Sequence, residues 1–206
     1  MQSSLTVIFL LSAVYYLIGS VPTAFLVIKL FHGKDIRNEG SGNVGAMNSY
    51  DVSGSKKIGL LVFIIDFLKG VIPAVIPIYI LGIGFDVMYI PFAALVAGHN
   101  FSVWMKFKGG RGLATAAGIL VIINFWIVVI WCVIYLITSL VKKNVHIANT
   151  SATILMPVLL IVLNSQWKNL INHEGLYSAD IVIFCIIISI LILLKHISPI
   201  FSLIKS

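Results

Sequence analysis

Two polar, glycine-rich segments lie between long hydrophobic stretches of this chain, and their residue types suit the binding of a phosphate group. The first glycine segment covers residues 37–48, and the second glycine segment covers residues 98–100 and 107–115. Glycines let backbone amides approach an anion closely, and nearby Lys and Arg side chains supply the matching charge. The two segments therefore predict a phosphate-handling site at a membrane surface.

The first glycine segment combines turn-forming glycines with side chains that hydrogen-bond anions. The residues expected to take part are Gly40, Gly42 and Gly45 for the turns, Ser41, Asn43 and Asn48 for hydrogen bonds, and Lys34 and Arg37 for charge. The same composition also fits a flexible loop between two helices. The nucleotide-binding pattern G-x-x-x-x-G-K-[ST] does not occur in the sequence.

The second glycine segment places Lys108 and Arg111 on either side of Gly109 and Gly110, just before a predicted helix. The free amides and the dipole at a helix N-terminus attract anions, and Thr115 adds a hydroxyl in the first turn. We therefore expect the cations and the amides near the glycine pair to hold phosphate. A basic anchor at the membrane surface is the alternative, although an anchor does not need the glycine pair.

Histidines and a pair of ionisable residues could also take part in chemistry. His99 and His196 each end a hydrophobic run, where a histidine can orient or deprotonate a hydroxyl, or can bond a backbone carbonyl. Asp66 and Lys69 lie three residues apart inside a hydrophobic run, so they share a helix face and can neutralise each other. We interpret this pair as structural, with an ion pathway as the alternative.

Other titratable residues give no further site. The remaining histidines are expected in loops, and they are His32, His146 and His173. Cys132 and Cys185 lie in hydrophobic runs and are predicted to be buried free thiols. No group of residues has the spacing of metal ligands, so we expect neither a metal nor a cofactor.

Composition sets the class of protein. The chain has 206 residues, of which 60% are hydrophobic and 10% are charged, whereas soluble domains average about 25% charged. The hydrophobic runs are continuous, unlike the alternating strands of an outer-membrane barrel. We therefore predict an all-α, polytopic integral membrane protein in contact with membrane lipids. The net charge of +7 fits basic cytoplasmic loops, and nucleic-acid binding is not expected.

Six hydrophobic runs organise the chain as a single domain, residues 1–206. They lie at residues 5–31, 57–81, 87–98, 113–141, 150–164 and 179–195. The run 113–141 would be about 43 Å long as one helix, whereas a bilayer core is about 30 Å thick. It is therefore either one tilted helix or two short ones that turn near Asn124. Two helices place nearly all Lys and Arg inside and Lys168 outside, which predicts seven spans with the N-terminus outside and the C-terminus cytoplasmic.

The motifs resemble those of the bacterial acyl-phosphate:glycerol-3-phosphate acyltransferases. The resemblance rests on Gly40-Ser41-Gly42-Asn43-Val44-Gly45-Ala46, Gly98-His99, Lys108-Gly109-Gly110-Arg111-Gly112 with Ala114-Thr115, Asp66 with Lys69-Gly70, and Pro22 after Gly19-Ser20. It implies a seven-helix enzyme of the bacterial plasma membrane whose active site faces the cytoplasm. Such enzymes transfer a fatty acyl group from acyl-phosphate to glycerol 3-phosphate, giving lysophosphatidic acid (1-acylglycerol 3-phosphate) and phosphate in phospholipid biosynthesis.

The resemblance also suggests roles for individual residues. We predict catalytic roles for His196, Arg111 and Ser41. We predict contacts to substrate or phosphate from Gly40, Gly42, Asn43, Gly45, Asn48, His99, Lys108, Gly109, Gly110 and Thr115. The His-x4-Asp box of other acyltransferases is missing, since Trp104 follows His99 and Phe201 follows His196 at that spacing.

The chain departs from the motifs of this family at several positions. Met47 replaces a threonine, Asp51 lies where an arginine is usual, and Arg111 replaces a lysine. Near the C-terminus, Pro199 and Ser202 replace an asparagine and an arginine. These departures leave open a catalytically weak or inactive paralogue that binds lipid or phosphate. A small membrane transporter is a further alternative, suggested by Asp66, Lys69 and the divided run 113–141.

Overall fold

A computed structural model describes residues 2–162 and 179–205 of the chain. Its regular elements are helices, which confirms the all-α prediction for the described residues. In chain order they are α1 (Gln2–Ser20), α2 (Thr23–His32), α3 (Ala46–Ser53), α4 (Lys56–Val75), α5 (Phe85–Asn100), α6 (Leu113–Ile123), α7 (Phe125–Lys142), α8 (Val145–Val162), α9 (Ala179–Leu194) and α10 (Ile197–Lys205). They form two compact units, Met1–Ile119 and Leu120–Ser206.

Several of these helices are long and apolar enough to cross a membrane. Five such stretches are Leu5–His32, Lys56–Ile80, Phe85–Met105, Phe125–Lys142 and Val145–Val162. Two shorter apolar helices, α6 and α9, accompany them. The class of integral membrane protein is therefore supported by helix length as well as by composition. The number of seven spans and the direction of the termini stay predictions, as does the single domain.

The long hydrophobic run 113–141 is broken at Asn124, as the sequence suggested. Asn124 has an extended backbone, and its side-chain oxygen accepts a hydrogen bond from the Trp126 amide at 3.1 Å, which caps the start of α7. The two helices differ in length, since α6 has 11 residues and α7 has 18, so only α6 is as short as expected. An 11-residue helix is only about 16 Å long, so α6 is too short to cross a bilayer core alone.

The structure corrects several local predictions. The run 5–31 is divided into α1 and α2 at Val21 and Pro22, and the last three residues of the first glycine segment already belong to the helix α3. His32 ends α2 and His146 lies in the first turn of α8, so neither is a loop residue. His173 and Lys168 lie outside the described residues.

The two cysteines differ in their surroundings. Both thiols are free, as predicted. Cys185 is buried. Cys132 of α7 is not covered by other residues of the protein, so its predicted burial was wrong. In a membrane protein such an apolar, outward-facing position suits contact with lipid.

Glycines bring the helices of the first unit close together. A Cβ atom on Gly98 of α5 would lie 2.1 Å from the carbonyl oxygen of Tyr16 in α1, and one on Gly118 of α6 would lie 2.1 Å from that of Phe67 in α4. Any side chain at these positions would push the helices apart, which is why small residues occur at close membrane helix crossings. The α1–α5 crossing positions the chain that follows each of these two helices. The α4–α6 crossing positions the second glycine segment, which ends in the first turn of α6.

A buried apolar cluster packs against the chain on either side of the glycine segments in the first unit. The cluster includes Val44 of the first glycine segment and Ile36 just before that segment. Ile28 of α2, Val62 of α4 and Met105 pack against them with almost no exposed surface. Because the cluster contains residues from the first segment and from the loop after α5, it fixes these two parts of the first unit to one another.

Candidate functional site

Asn48 organises the first glycine segment. Its side chain is 1% exposed, its oxygen accepts from the Ser41 amide at 2.9 Å, and its amide nitrogen lies 3.0 Å, 3.1 Å and 3.3 Å from three backbone carbonyl oxygens. Those carbonyls belong to Asn43, Glu39 and Ile36. The Asn48 amide is thus used to hold the loop in shape, and a direct contact to substrate stays a prediction.

The glycines of this segment permit the turn around Asn48. Gly40 and Gly42 have φ angles of 55° and 69°, which glycine adopts without steric cost. A Cβ atom on Gly40 would lie 2.3 Å from the Asn48 side-chain oxygen. The turn leaves Ser41 exposed and Asn43 half-buried, so their side chains are available to a ligand.

The charge of Arg37 is neutralised by Asp35, which lies just before the first glycine segment. Its guanidinium makes a salt bridge of 2.6 Å to Asp35, and its backbone amide donates to the same carboxylate at 3.0 Å. Hydrogen bonding from the Arg37 side chain lowers the pKa of Asp35 to about 2. Sequence reasoning assigned Arg37 to the ligand and did not pair it with Asp35, although an aspartate two residues before an arginine at a turn is a usable signal.

The second glycine segment folds back on the end of α5. The Gly109 amide donates to the Asn100 carbonyl at 3.1 Å, and the Gly110 amide donates to the His99 carbonyl at 3.0 Å. Both amides are therefore bonded within the protein, and a contact of these glycines with phosphate stays a prediction. A Cβ atom on Gly110 would lie 2.3 Å from His99 Nε2, so the glycine lets the backbone pass beside the imidazole.

The two glycine segments meet in the first unit. A Cβ atom on Gly110 would also lie 2.6 Å from the carbonyl oxygen of Val44. A small cavity lies at this junction and is lined by the α1–α2 corner at residues 20–23, by Val44, His99 and Ser102, and by Gly109 and Gly110. The sequence analysis did not assign residues 20–23 to the site. The motif of Pro22 after Gly19 and Ser20 could have indicated them, because it was already part of the family resemblance.

Arg111 is a cation without an anionic partner among the residues that the structure describes. It is half-buried at the start of α6, and among residues 2–162 and 179–205 its guanidinium has neither an ion pair nor a hydrogen-bond acceptor. Burial lowers the pKa of Arg111 from its usual value. Lys108, on the other side of the glycine pair, is exposed. A partly desolvated guanidinium is suited to receive a carboxylate or phosphate oxygen.

A buried polar network lies behind the cavity. The Thr115 hydroxyl donates to the Asp66 carbonyl at 3.1 Å and lies 3.3 Å from His99 Nδ1. Because a hydroxyl has one hydrogen, which Asp66 receives, Nδ1 of His99 carries the proton that bonds Thr115. His99 Nδ1 also lies 3.7 Å from the Asp66 carboxylate. Thr115 is thus engaged inside the protein, and its contact with substrate stays a prediction.

Asp66 and Lys69 form the contact that their spacing indicated. The Lys69 ammonium lies 2.9 Å from Asp66, and it also donates to the Val21 carbonyl at 2.7 Å and to the Thr23 hydroxyl at 2.9 Å. All three of its donors are therefore used. The pair links α4 to the α1–α2 corner, which is the position expected of a structural pair.

His196 lies in the second unit, between α9 and α10. It is 1% exposed, its Nδ1 lies 2.9 Å from the Ile192 carbonyl oxygen, and its own carbonyl accepts from the Ile200 amide at 3.1 Å. Its ring lies 6.3 Å from that of His146, a neighbour that sequence reasoning missed because no motif surrounds it. Pro199 occupies the first turn of α10, where a missing amide hydrogen is tolerated.

The described helices define an integral membrane protein in which two glycine-rich segments meet beside a half-buried arginine. Residues 9–206 match the model of the glycerol-3-phosphate acyltransferase family. The chain belongs to the glycerol-3-phosphate acyltransferase family, which confirms the resemblance found in the sequence.

Individual relatives and solved structures agree with this membership. The chain is 37% identical over 181 residues to a glycerol-3-phosphate acyltransferase of Aquifex aeolicus, covering 88% of this chain and 87% of that protein. It is 36% identical over 147 residues to one from Pelagibacter ubique, covering 71% and 75% respectively. It is also similar to the crystal structure of PlsY (YgiH), an integral membrane glycerol 3-phosphate acyltransferase in its glycerol 3-phosphate form. That likeness has a TM-score of 0.81 and 35% identity, and covers 96% of this chain and 92% of that one.

A second crystal structure of PlsY, in its lysophosphatidic acid form, gives a TM-score of 0.78 at 33% identity, again covering 96% of this chain and 92% of that one. Likeness over nearly the whole of both chains extends the agreement from the motifs to the fold. It favours an acyltransferase over an unrelated transporter of similar composition.

Proposed function

We propose that this protein transfers a fatty acyl group from acyl-phosphate to glycerol 3-phosphate, producing lysophosphatidic acid (1-acylglycerol 3-phosphate) and phosphate for phospholipid biosynthesis. Membership of the glycerol-3-phosphate acyltransferase family supports the acceptor and the class of reaction. The donor is inferred from the motifs, since the chain lacks the His-x4-Asp box of other acyltransferases.

The observation that carries the proposal is the half-buried guanidinium of Arg111, which has no acidic neighbour in the described part of the chain. A buried charge is costly unless a partner compensates it. Both proposed substrates carry phosphate, and the neighbouring Lys108 adds a second cation. We infer that Arg111 and Lys108 bind phosphoryl oxygens, with Ser41 and Asn43 as additional hydrogen-bond donors.

The arrangement in the membrane is part of the proposal. We propose seven membrane segments in the bacterial plasma membrane, with the N-terminus outside and the C-terminus in the cytoplasm. The five long apolar stretches and the two shorter apolar helices supply that number of segments, and the short α6 would need local thinning of the bilayer or packing by other helices. Basic residues near the segment ends favour this direction and would place the site at the cytoplasmic face.

The chemistry needs little from the protein beyond positioning and charge. The primary hydroxyl oxygen of glycerol 3-phosphate attacks the carbonyl carbon of the acyl-phosphate, the bond from that carbon to the phosphate oxygen breaks, and phosphate leaves. The hydroxyl proton passes to a phosphate oxygen, so a protein base is not required. Arg111 and Lys108 would stabilise the charge that develops on the leaving phosphate.

The proposal is tested with purified protein in detergent or proteoliposomes. Incubation with acyl-phosphate and glycerol 3-phosphate should release lysophosphatidic acid and one phosphate for each acyl group transferred. Acyl-CoA and acyl-carrier protein serve as alternative donors, and turnover with either but not with acyl-phosphate would overturn the proposed donor. Binding of glycerol 3-phosphate without any turnover would instead favour an inactive paralogue.

The role of His196 requires a separate measurement. If His196 orients the acceptor without removing a proton, His196→Ala should retain measurable turnover with an unchanged dependence of kcat on pH between pH 6 and 8. Loss of a titration in that range would instead identify His196 as a general base.

A further inference from the structure

A buried hydroxyl beside the junction of the glycine segments has no role in the reaction described so far. Ser20 ends α1, is fully buried, and its Oγ has no hydrogen-bond partner among the described residues. It lines the cavity together with Thr23, His99 and the glycine pair. Leaving a buried hydroxyl unpaired costs about 1–3 kcal/mol, so a group from outside the chain is expected to satisfy it.

The cavity suits a neutral group rather than an anion. Its volume of about 10 Å³ holds roughly one water-sized group, which is less than a phosphate needs. No lysine or arginine is among the described residues that line it. The buried cation Lys69, which bonds two residues of the lining, already donates to Val21, Thr23 and Asp66. A hydroxyl group fits both the size and the charge of this space.

The wall that carries Ser20 is held firmly in place. The Ser102 hydroxyl donates to the Ser20 carbonyl, and Lys69 holds Val21 and Thr23 on the far side of the corner. Gly98 lets α1 pass close to α5 at this point, because a Cβ there would lie 2.9 Å from the Ser20 amide nitrogen. A hydroxyl fixed in this way loses little entropy when it bonds a ligand.

We propose that Ser20 binds the hydroxyl of the acceptor that is not acylated, which in glycerol 3-phosphate is the hydroxyl on C2. The inference rests on the proposed function. The reacting hydroxyl must lie beside the leaving phosphate and its cations, whereas neither lysine nor arginine occurs among the described residues that line this cavity. Ser20 is thus a residue that determines selectivity for a polyol acceptor.

The test compares two acceptors that differ only at C2. Glycerol 3-phosphate has the C2 hydroxyl, and 3-hydroxypropyl phosphate lacks it but retains the primary hydroxyl and the phosphate. We expect Ser20→Ala to lower kcat/KM for glycerol 3-phosphate about tenfold, as one lost hydrogen bond allows, and to change kcat/KM for 3-hydroxypropyl phosphate by less than about twofold. The matched control is Ser189→Ala, since Ser189 also has a buried hydroxyl without a partner among the described residues but does not line the cavity.

The outcomes separate this inference from the proposed function. A wild-type protein that acylates neither acceptor would overturn the proposed function and the inference together. The wild type could be active while Ser20→Ala lowers kcat/KM equally for both acceptors, or lowers it for neither. Either result would overturn the inference but not the proposed function. Thermal unfolding gives a second readout, because removing an unpaired hydroxyl should leave the midpoint unchanged or raise it. A lowered midpoint would assign Ser20 a structural bond instead.

Discussion

The ammonium nitrogen of Lys69 lies 2.7 Å from the carbonyl oxygen of Val21, so a side chain of α4 bonds the corner between α1 and α2. The same nitrogen neutralises Asp66 and bonds Thr23. The corner in turn forms one wall of the cavity at the junction of the glycine segments. A buried ion pair therefore supports the site without supplying a charge to it.

Removing Lys69 should destabilise the protein. Lys69→Met leaves Asp66 buried without its ammonium partner, and breaking such a pair costs about 3 kcal/mol. The thermal midpoint in detergent should fall, and the double variant Asp66→Asn with Lys69→Met should recover part of the loss. Lys57→Met is the matched control, because Lys57 is exposed on the same helix. A single variant as stable as this control would show that the pair is not structural.

Asn48→Asp should impair the site while preserving the size of the side chain. The carboxylate would face the carbonyl oxygens of Ile36, Glu39 and Asn43, which now receive hydrogen bonds from the Asn48 amide. We expect kcat/KM for glycerol 3-phosphate to fall at least about tenfold as the loop rearranges. Asn38→Asp, at an exposed position of the same segment, should have a small effect. Equal effects of the two variants would contradict the organising role of Asn48.

Gly110→Ala should disrupt the junction of the glycine segments. The added Cβ would lie 2.3 Å from His99 Nε2 and 2.6 Å from the Val44 carbonyl oxygen, which are distances that require the backbone to move. Activity should be lost and the thermal midpoint lowered. Gly54→Ala provides the comparison, since its Cβ would enter open space and its φ of 65° adds a cost of only about 1–2 kcal/mol. An active Gly110→Ala protein would disprove the close approach.

Arg111 should tolerate lysine better than alanine. Arg111→Ala removes a charge that has no partner within the described residues, so we expect kcat/KM to fall about 100-fold, or about 3 kcal/mol, with little loss of thermal stability. Arg111→Lys keeps the charge but loses the bidentate hydrogen-bond geometry of the guanidinium. Its kcat/KM should remain within about tenfold of the wild-type value. The assay is release of lysophosphatidic acid, supplemented by complementation of a strain that lacks its own acyltransferase. A large loss of stability in Arg111→Ala would point to a structural role instead.

The sequence alone determined the class of the protein, its family and several features of its fold. Continuous hydrophobic runs establish membrane helices because hydrophobicity is a local property that composition records directly. The break at Asn124 was likewise visible, since a run too long for one span contains a residue that can cap a helix. The glycine segments were recognised from their order and spacing.

Tertiary structure decided which polar groups remain available to a ligand. The amides of Gly109 and Gly110 and the side chains of Asn48 and Arg37 seemed equally suited to bind phosphate, yet all four are bonded within the protein. Arg111 has no such partner in the described residues, and neither has the hydroxyl of Ser20. Hydrogen bonds within a loop follow from how it folds, and those between distant segments follow from how helices pack. Neither the residue type nor its spacing reveals which donors the fold has already used.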